Sequence, residues 1–121
     1  IALILKNAIG RLRPVLDLEP GYQLTNESFK FQFFSEYDWN YASMPSGHSV
    51  VVFAMALVLS RSFPRLTILF WFIAIVIAAS RIILFQHWLS DILASALLVL
   101  VLDLLIWNRL VSWFSIEKAA E

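Results

Sequence analysis

Three stretches of this 121-residue chain have no polar face, and a chain this short cannot bury all of them. Residues 50–59 are apolar throughout, residues 66–79 hold one polar side chain, Thr67, and residues 92–102 hold one, Ser95. The third run continues past Asp103 to Trp107. A helix that is apolar all round belongs in a core or in lipid. Three such helices cannot all be interior to a domain this small, where much of the chain must stay at the surface. Lipid is the better solvent, although each run is shorter than the roughly 20 residues of a spanning helix. Composition agrees: 60% of residues are hydrophobic and 15% charged, against roughly 45–50% and 25% in an ordinary soluble domain.

These features predict an all-α membrane helical bundle forming one domain over residues 1–121. Residues 1–9 read as the end of a helix, closed by Gly10 with Pro14 shortly after. The chain does not begin with methionine, and residues 1–5 are too short to span a bilayer and lack a signal-peptide cleavage pattern. The expectation is therefore an N-terminally truncated piece of a larger bundle, with further membrane helices upstream. Residues 11–46 form an outer loop, rich in acids (Asp17, Glu19, Glu27, Glu36, Asp38) and aromatics, with a turn at Pro20 and Gly21. A loop this long is expected to carry a short helix or lid of its own. Ser46 reads as an N-cap. Membrane helices are expected at 47–62, 66–85 and 88–110, Pro64 marking the turn between the first two, and residues 111–121 form a polar tail.

Cysteine is absent, so disulfides and thiolate metal sites are excluded. Nine basic and nine acidic residues cancel, which removes any global electrostatic case for nucleic acid. Alternating crossings of the three helices bring the polar clusters at 6–13, 45–48 and 80–91 to one membrane face. Arg61, Arg65, Arg109 and Lys118 fall on the other, expected cytoplasmic, face. Trp39 and Trp88 at one level, and Trp107 and Trp113 at the other, fit interfacial belts. Asp103 is expected to pair with a neighbour at the inner end.

The chemistry lies in residues 80–91, SRIILFQHWLSD. If 87–91 is helical, His87 and Asp91 stand four apart on one face. The carboxylate can then accept the Nδ1 proton and leave Nε2 its lone pair. Arg81 offers a fork suited to phosphate. Alone, these residues equally describe interfacial snorkelling and a helix cap. The other clusters add Lys6, Arg13, Ser46, the Gly47 N–H at a helix start, and His48, which together suit a phosphoryl group. Two histidines can divide attack on phosphorus from protonation of the departing oxygen. His48, His87 and Asp91 as metal ligands are a thin alternative. Arg11 has a solvent or lipid-headgroup contact as its default.

The set resembles the type 2 phosphatidic acid phosphatase (PAP2) superfamily, whose pattern is KxxxxxxRP, PSGH and SRxxxxxHxxxD. Lys6, Arg13 and Pro14 match the first, Pro45, Ser46, Gly47 and His48 the second, and Ser80, Arg81, His87 and Asp91 the third. At roughly one chance in twenty per position, such agreement in order is no coincidence. The resemblance covers residues 6–107. It implies a bundle of the PAP2 and acid phosphatase–haloperoxidase type, normally six helices. His87 would be the nucleophile forming a phosphohistidine, Asp91 would hold its ring, and His48 would be general acid and then base. Lys6, Arg13, Ser46, Gly47 and Arg81 would bind phosphate, with no metal and no cofactor. The implied partner is a lipid phosphate monoester or pyrophosphate in the bilayer, with the site on the outer face of a bacterial-type inner membrane. Alternatives on the same fold are a lipid phosphotransferase or a vanadate-dependent haloperoxidase-like enzyme; another is a non-catalytic lipid-phosphate binder or transporter. Two positions depart from many relatives, which have glycine where this chain has Phe85 and Ser95.

Overall fold

In the computed structural model, residues 1–14, 31–34 and 38–119 are described, with side chains through residue 107 and at 109. Most of the loop acids and the turn at Pro20 and Gly21 lie outside these residues, as does much of the loop expected to carry a short helix or lid, and as do the side chains of Trp113 and Lys118. Among the described residues every regular element is helical: α1 (Ala2–Ile9), α2 (Gly47–Ser62), α3 (Thr67–Ile83) and α4 (Leu89–Ala119), with 3₁₀ turns at Trp39–Tyr41 and Pro64–Leu66.

Local signals account for most of the boundaries. Gly10 ends α1 in the left-handed conformation at φ 55°. A Cβ there would meet the Gln32 carbonyl oxygen at 2.0 Å, so only glycine fits. Ser46 caps α2 by accepting from the Ser49 N–H at 3.4 Å. Pro64 opens the 3₁₀ turn into α3. One boundary departs from expectation. α4 runs on through Ala119, so residues 111–119 are helix rather than tail.

Packing is inside-out relative to a soluble protein. The core is small: Phe53, Ala56, Ala74, Ala78, Ile92 and Val99. Alanines let α2 and α3 approach closely, the usual solution where lipid rather than water is the solvent. Large side chains such as Ile68 (86% exposed) and Phe72 (64% exposed) point outward. The stretches Pro64–Ile83 and Leu89–Trp107 are each long and apolar enough to cross a membrane. α2, with 16 residues, rises only about 24 Å, short of the roughly 30 Å hydrocarbon core. At the end of α2 away from Ser46, Arg61 holds Asp103 through both guanidinium nitrogens, the longer bond 2.7 Å, and stacks on Trp107 at 4.4 Å. Asp103 thus has the neighbouring partner expected of it.

Candidate active site

Four helix ends meet at the other end of the bundle: the C-termini of α1 and α3 and the N-termini of α2 and α4. Lys6 and Arg81, in the last turns of α1 and α3, oppose the partial negative charge of those ends. The first turn of α2 presents N–H groups without intrahelical partners. A cavity of about 450 Å³ opens between them, lined by Lys6, Arg13, Trp39, Gly47, His48, Arg81, Gln86 and His87 among others. The three clusters, far apart in the chain, therefore share one space.

Lys6 and Arg13 are held by backbone oxygens. Lys6 Nζ donates to the Ala42 carbonyl at 2.8 Å. Arg13 is 7% exposed and donates to the carbonyls of Trp39, Gln86 and Ala42 at 3.0–3.2 Å. Its guanidinium also lies 4.2 Å over the Trp39 ring. Carbonyls orient a cation without cancelling its charge, which stays available to an anion. Burial, and then the Arg13 cation, pull the Lys6 ammonium below the usual lysine range, partly offset by Asp91.

The loop carrying His87 is folded by α3 itself. Phe85 N–H donates to the Ile82 carbonyl at 2.9 Å and Gln86 N–H to that of Arg81 at 3.0 Å. This is a Schellman closure, with Phe85 at φ 52° in the position glycine normally takes. The departure from glycine seen in the sequence thus falls on a strained residue. His87 N–H also donates to the Arg81 carbonyl at 3.2 Å, which places the imidazole, 3% exposed, beneath the cavity. His48 sits exposed at its rim.

His87 and Asp91 do not form the helical pair expected from their spacing. α3 ends before Leu84 and α4 starts at Leu89, leaving His87 outside both helices. His87 Nδ1 stands 3.6 Å from Asp91 Oδ2, beyond hydrogen-bond length, and has no hydrogen-bond partner among the described residues. Asp91 is held by three other donors. Asp91 Oδ2 accepts from Ser43 Oγ at 2.5 Å and from the Trp88 N–H at 2.9 Å, capping α4, while Oδ1 accepts from Arg11 Nη1 at 2.7 Å.

Ser46 is set apart from the other phosphate-binding candidates. It is fully buried, its hydroxyl engaged with Ser49, and it is not part of the cavity lining. Its carbonyl accepts from Ser95 Oγ at 3.0 Å, while that hydroxyl also reaches the Asp91 carbonyl at 2.7 Å. Ser95, the second departure, is thus accommodated by tying α4 to the start of α2. Gly47 lines the cavity, and a Cβ there would meet nothing within 4 Å.

Arg11 and Ser43 are the residues that sequence reasoning missed. Arg11 is no surface contact: it is 6% exposed and paired with a fully buried Asp91. A basic residue two positions before Arg13 was the sole signal for it. Among the described residues no three His, Asp or Glu side chains are grouped to hold a metal ion.

Two curated proteins resemble the chain, each named lipid A 1-phosphatase, from Rhizobium johnstonii and Rhizobium etli. Each is 36% identical over 94 residues, which is 78% of this chain and 36% and 38% of the respective relatives. The chain thus spans little more than a third of their length. No solved structure gives a significant match. The PAP2 superfamily model matches residues 1–114, taking in every motif residue that the fold gathers around the cavity or beneath it, and on that extent the chain belongs to the PAP2 superfamily.

Proposed function

We propose that this chain carries the catalytic centre of an integral membrane phosphatase acting on a lipid-linked phosphate, through a phosphohistidine and without a metal. The observation that carries the reading is a single cavity lined by His48, His87 and the cations Lys6, Arg13 and Arg81. Phosphoryl transfer asks mainly for positioning and charge neutralisation, and these side chains supply both.

In the first step His87 Nε2 attacks phosphorus, a P–N bond forms, and the P–O bond to the lipid breaks. His48, at the cavity rim, donates a proton to the departing oxygen. Lys6, Arg13, Arg81 and the N–H of Gly47 neutralise the charge gathering on the equatorial oxygens. In the second step His48 takes a proton from water, whose oxygen attacks phosphorus, and the P–N bond breaks to release inorganic phosphate. Asp91 fixes the His87 side of the site. Ser46 contributes by starting α2 where Gly47 and His48 reach the cavity.

The named relatives make a lipid A 1-phosphate the first substrate to test, beside phosphatidic acid, phosphatidylglycerophosphate and undecaprenyl pyrophosphate. Arg61, Arg65 and Arg109 at the opposite end favour a cavity on the outer face of the inner membrane. Purified protein in lipid micelles, with chelator present, is expected to release phosphate from at least one of these lipids and to become phosphorylated on His87. His87→Ala should abolish both. Full turnover by His87→Ala would remove the nucleophile assignment, and turnover lost to chelator would remove metal independence.

A further inference from the structure

Arg11 lies outside the motif positions and outside the cavity lining, yet it is buried and held on several sides. Its Nη1 donates to Asp91 Oδ1 at 2.7 Å and to Ser90 Oγ at 2.5 Å. Its guanidinium lies 5.5 Å from the rings of both Phe31 and Trp88. Its backbone forms isolated bridges to Phe31 and Ala42, and its carbonyl accepts from Ser43 N–H at 3.0 Å. Ser43 in turn donates its hydroxyl to Asp91 Oδ2 at 2.5 Å. The residue that grips one carboxylate oxygen thereby also places the residue that grips the other.

A buried ion pair is a weak stability device, because desolvation offsets much of the attraction and apolar residues of similar volume often do as well. What the pair does achieve is a carboxylate held still. The carboxylate lies 3.6 Å from His87 Nδ1, on the side of the ring away from the nitrogen assigned to attack. With Arg11 and Ser43 in place it cannot swing toward the imidazole or away from it. A small inward movement of the ring on substrate binding would close the remaining gap, as catalytic hydrogen bonds often tighten only in the complex.

We propose that Arg11, with Ser43, is a positioning residue that acts through Asp91 to aim the His87 ring at phosphorus. This rests on the phosphatase reading above. Arg11 touches neither substrate nor the cavity, so its removal acts on the chemical step and leaves phosphate binding alone. Displacing a reacting group by about 1 Å can cost on the order of 100-fold.

The test compares Arg11→Met, Asp91→Asn and the double variant in the full membrane-embedded protein, using a lipid phosphate that the wild type hydrolyses. Arg11→Met is expected to lower kcat by about 10- to 100-fold, with KM and inhibition by inorganic phosphate within about twofold. The double variant should be no slower than Asp91→Asn, because one pathway cannot be broken twice. Ser43→Ala, which removes no charge and is the fallback if Arg11→Met does not fold, should slow kcat in the same direction with KM unchanged. Arg11→Lys should recover part of the loss. The proposal is overturned if Arg11→Met, or Ser43→Ala in its place, keeps wild-type kcat per folded molecule. It is also overturned if the loss lies in KM, or if the losses of Arg11→Met and Asp91→Asn multiply. Failure of the wild type to release phosphate from any lipid would sink the phosphatase reading and this inference with it; the other outcomes touch the inference alone.

Discussion

Gly47→Ala separates what the fold needs from what the substrate needs. Gly47 is the first residue of α2 and its φ is not in the left-handed region, since Gly10 is the sole positive-φ glycine among the described residues. A Cβ there meets nothing within 4 Å, so packing does not demand glycine. Alanine is the better helix former, by up to about 1 kcal/mol in a helix interior and less at its first turn. The melting temperature should therefore stay level or rise slightly. The cost falls on the ligand. An anion oxygen bonded to this N–H would sit about 2.8 Å from the nitrogen, and the new methyl takes up open space beside the cavity that Gly47 lines. Crowding of the anion by that methyl moves the phosphate outward by up to about 1 Å, enough for a loss on the order of 10- to 100-fold in kcat/KM, or about 1.4–2.7 kcal/mol of transition-state stabilisation. The assay is phosphate release from a lipid phosphate in mixed micelles, with a thermal melt in parallel. An alanine variant within twofold of wild-type kcat/KM would refute the placement of phosphate against the start of α2.

Two further predictions follow from the same geometry. Phe85→Gly relieves a left-handed residue, which costs about 1–2 kcal/mol for a side chain with a Cβ; set against glycine's greater flexibility in the unfolded chain, the net gain should be about 1 kcal/mol, read as a higher melting temperature, and a fall would contradict the strain argument. For Lys6 the charged form is the one that binds an anion, and burial with Arg13 pulls its ammonium below the usual lysine range. Inhibition by orthovanadate should therefore be strong below that lowered value and weaken as pH rises through it. Lys6→Arg, which keeps its charge, should carry strong inhibition to higher pH; identical alkaline profiles for the two proteins would remove Lys6 from the anion site.

Much of this molecule could be read along the chain because its signals are local or strictly spaced. Gly10, Ser46 and Pro64 each act within one helical turn, and each ends or starts an element where expected. Topology alone placed Lys6, His48 and Arg81 at one end of the bundle, because apolar helices in lipid must alternate direction. Asp103 found its partner at the inner end for the same reason. The extension of α4 through residues 111–119 was less legible, since a stretch of mixed polar and apolar residues beyond an apolar run can be coil or helix with equal ease.

The sequence by itself determined the class of fold and the cations and histidines that share one cavity, since those depend on apolar periodicity and on motif spacing. Only the tertiary structure decided how Asp91 is used. Its partners Arg11 and Ser43 lie 80 and 48 residues away, and a four-residue spacing to His87 says nothing of the chain leaving one helix and entering another between Leu84 and Leu89. A buried carboxylate binds the donors that reach it first and best, and which donors those are is a property of packed helix ends in three dimensions.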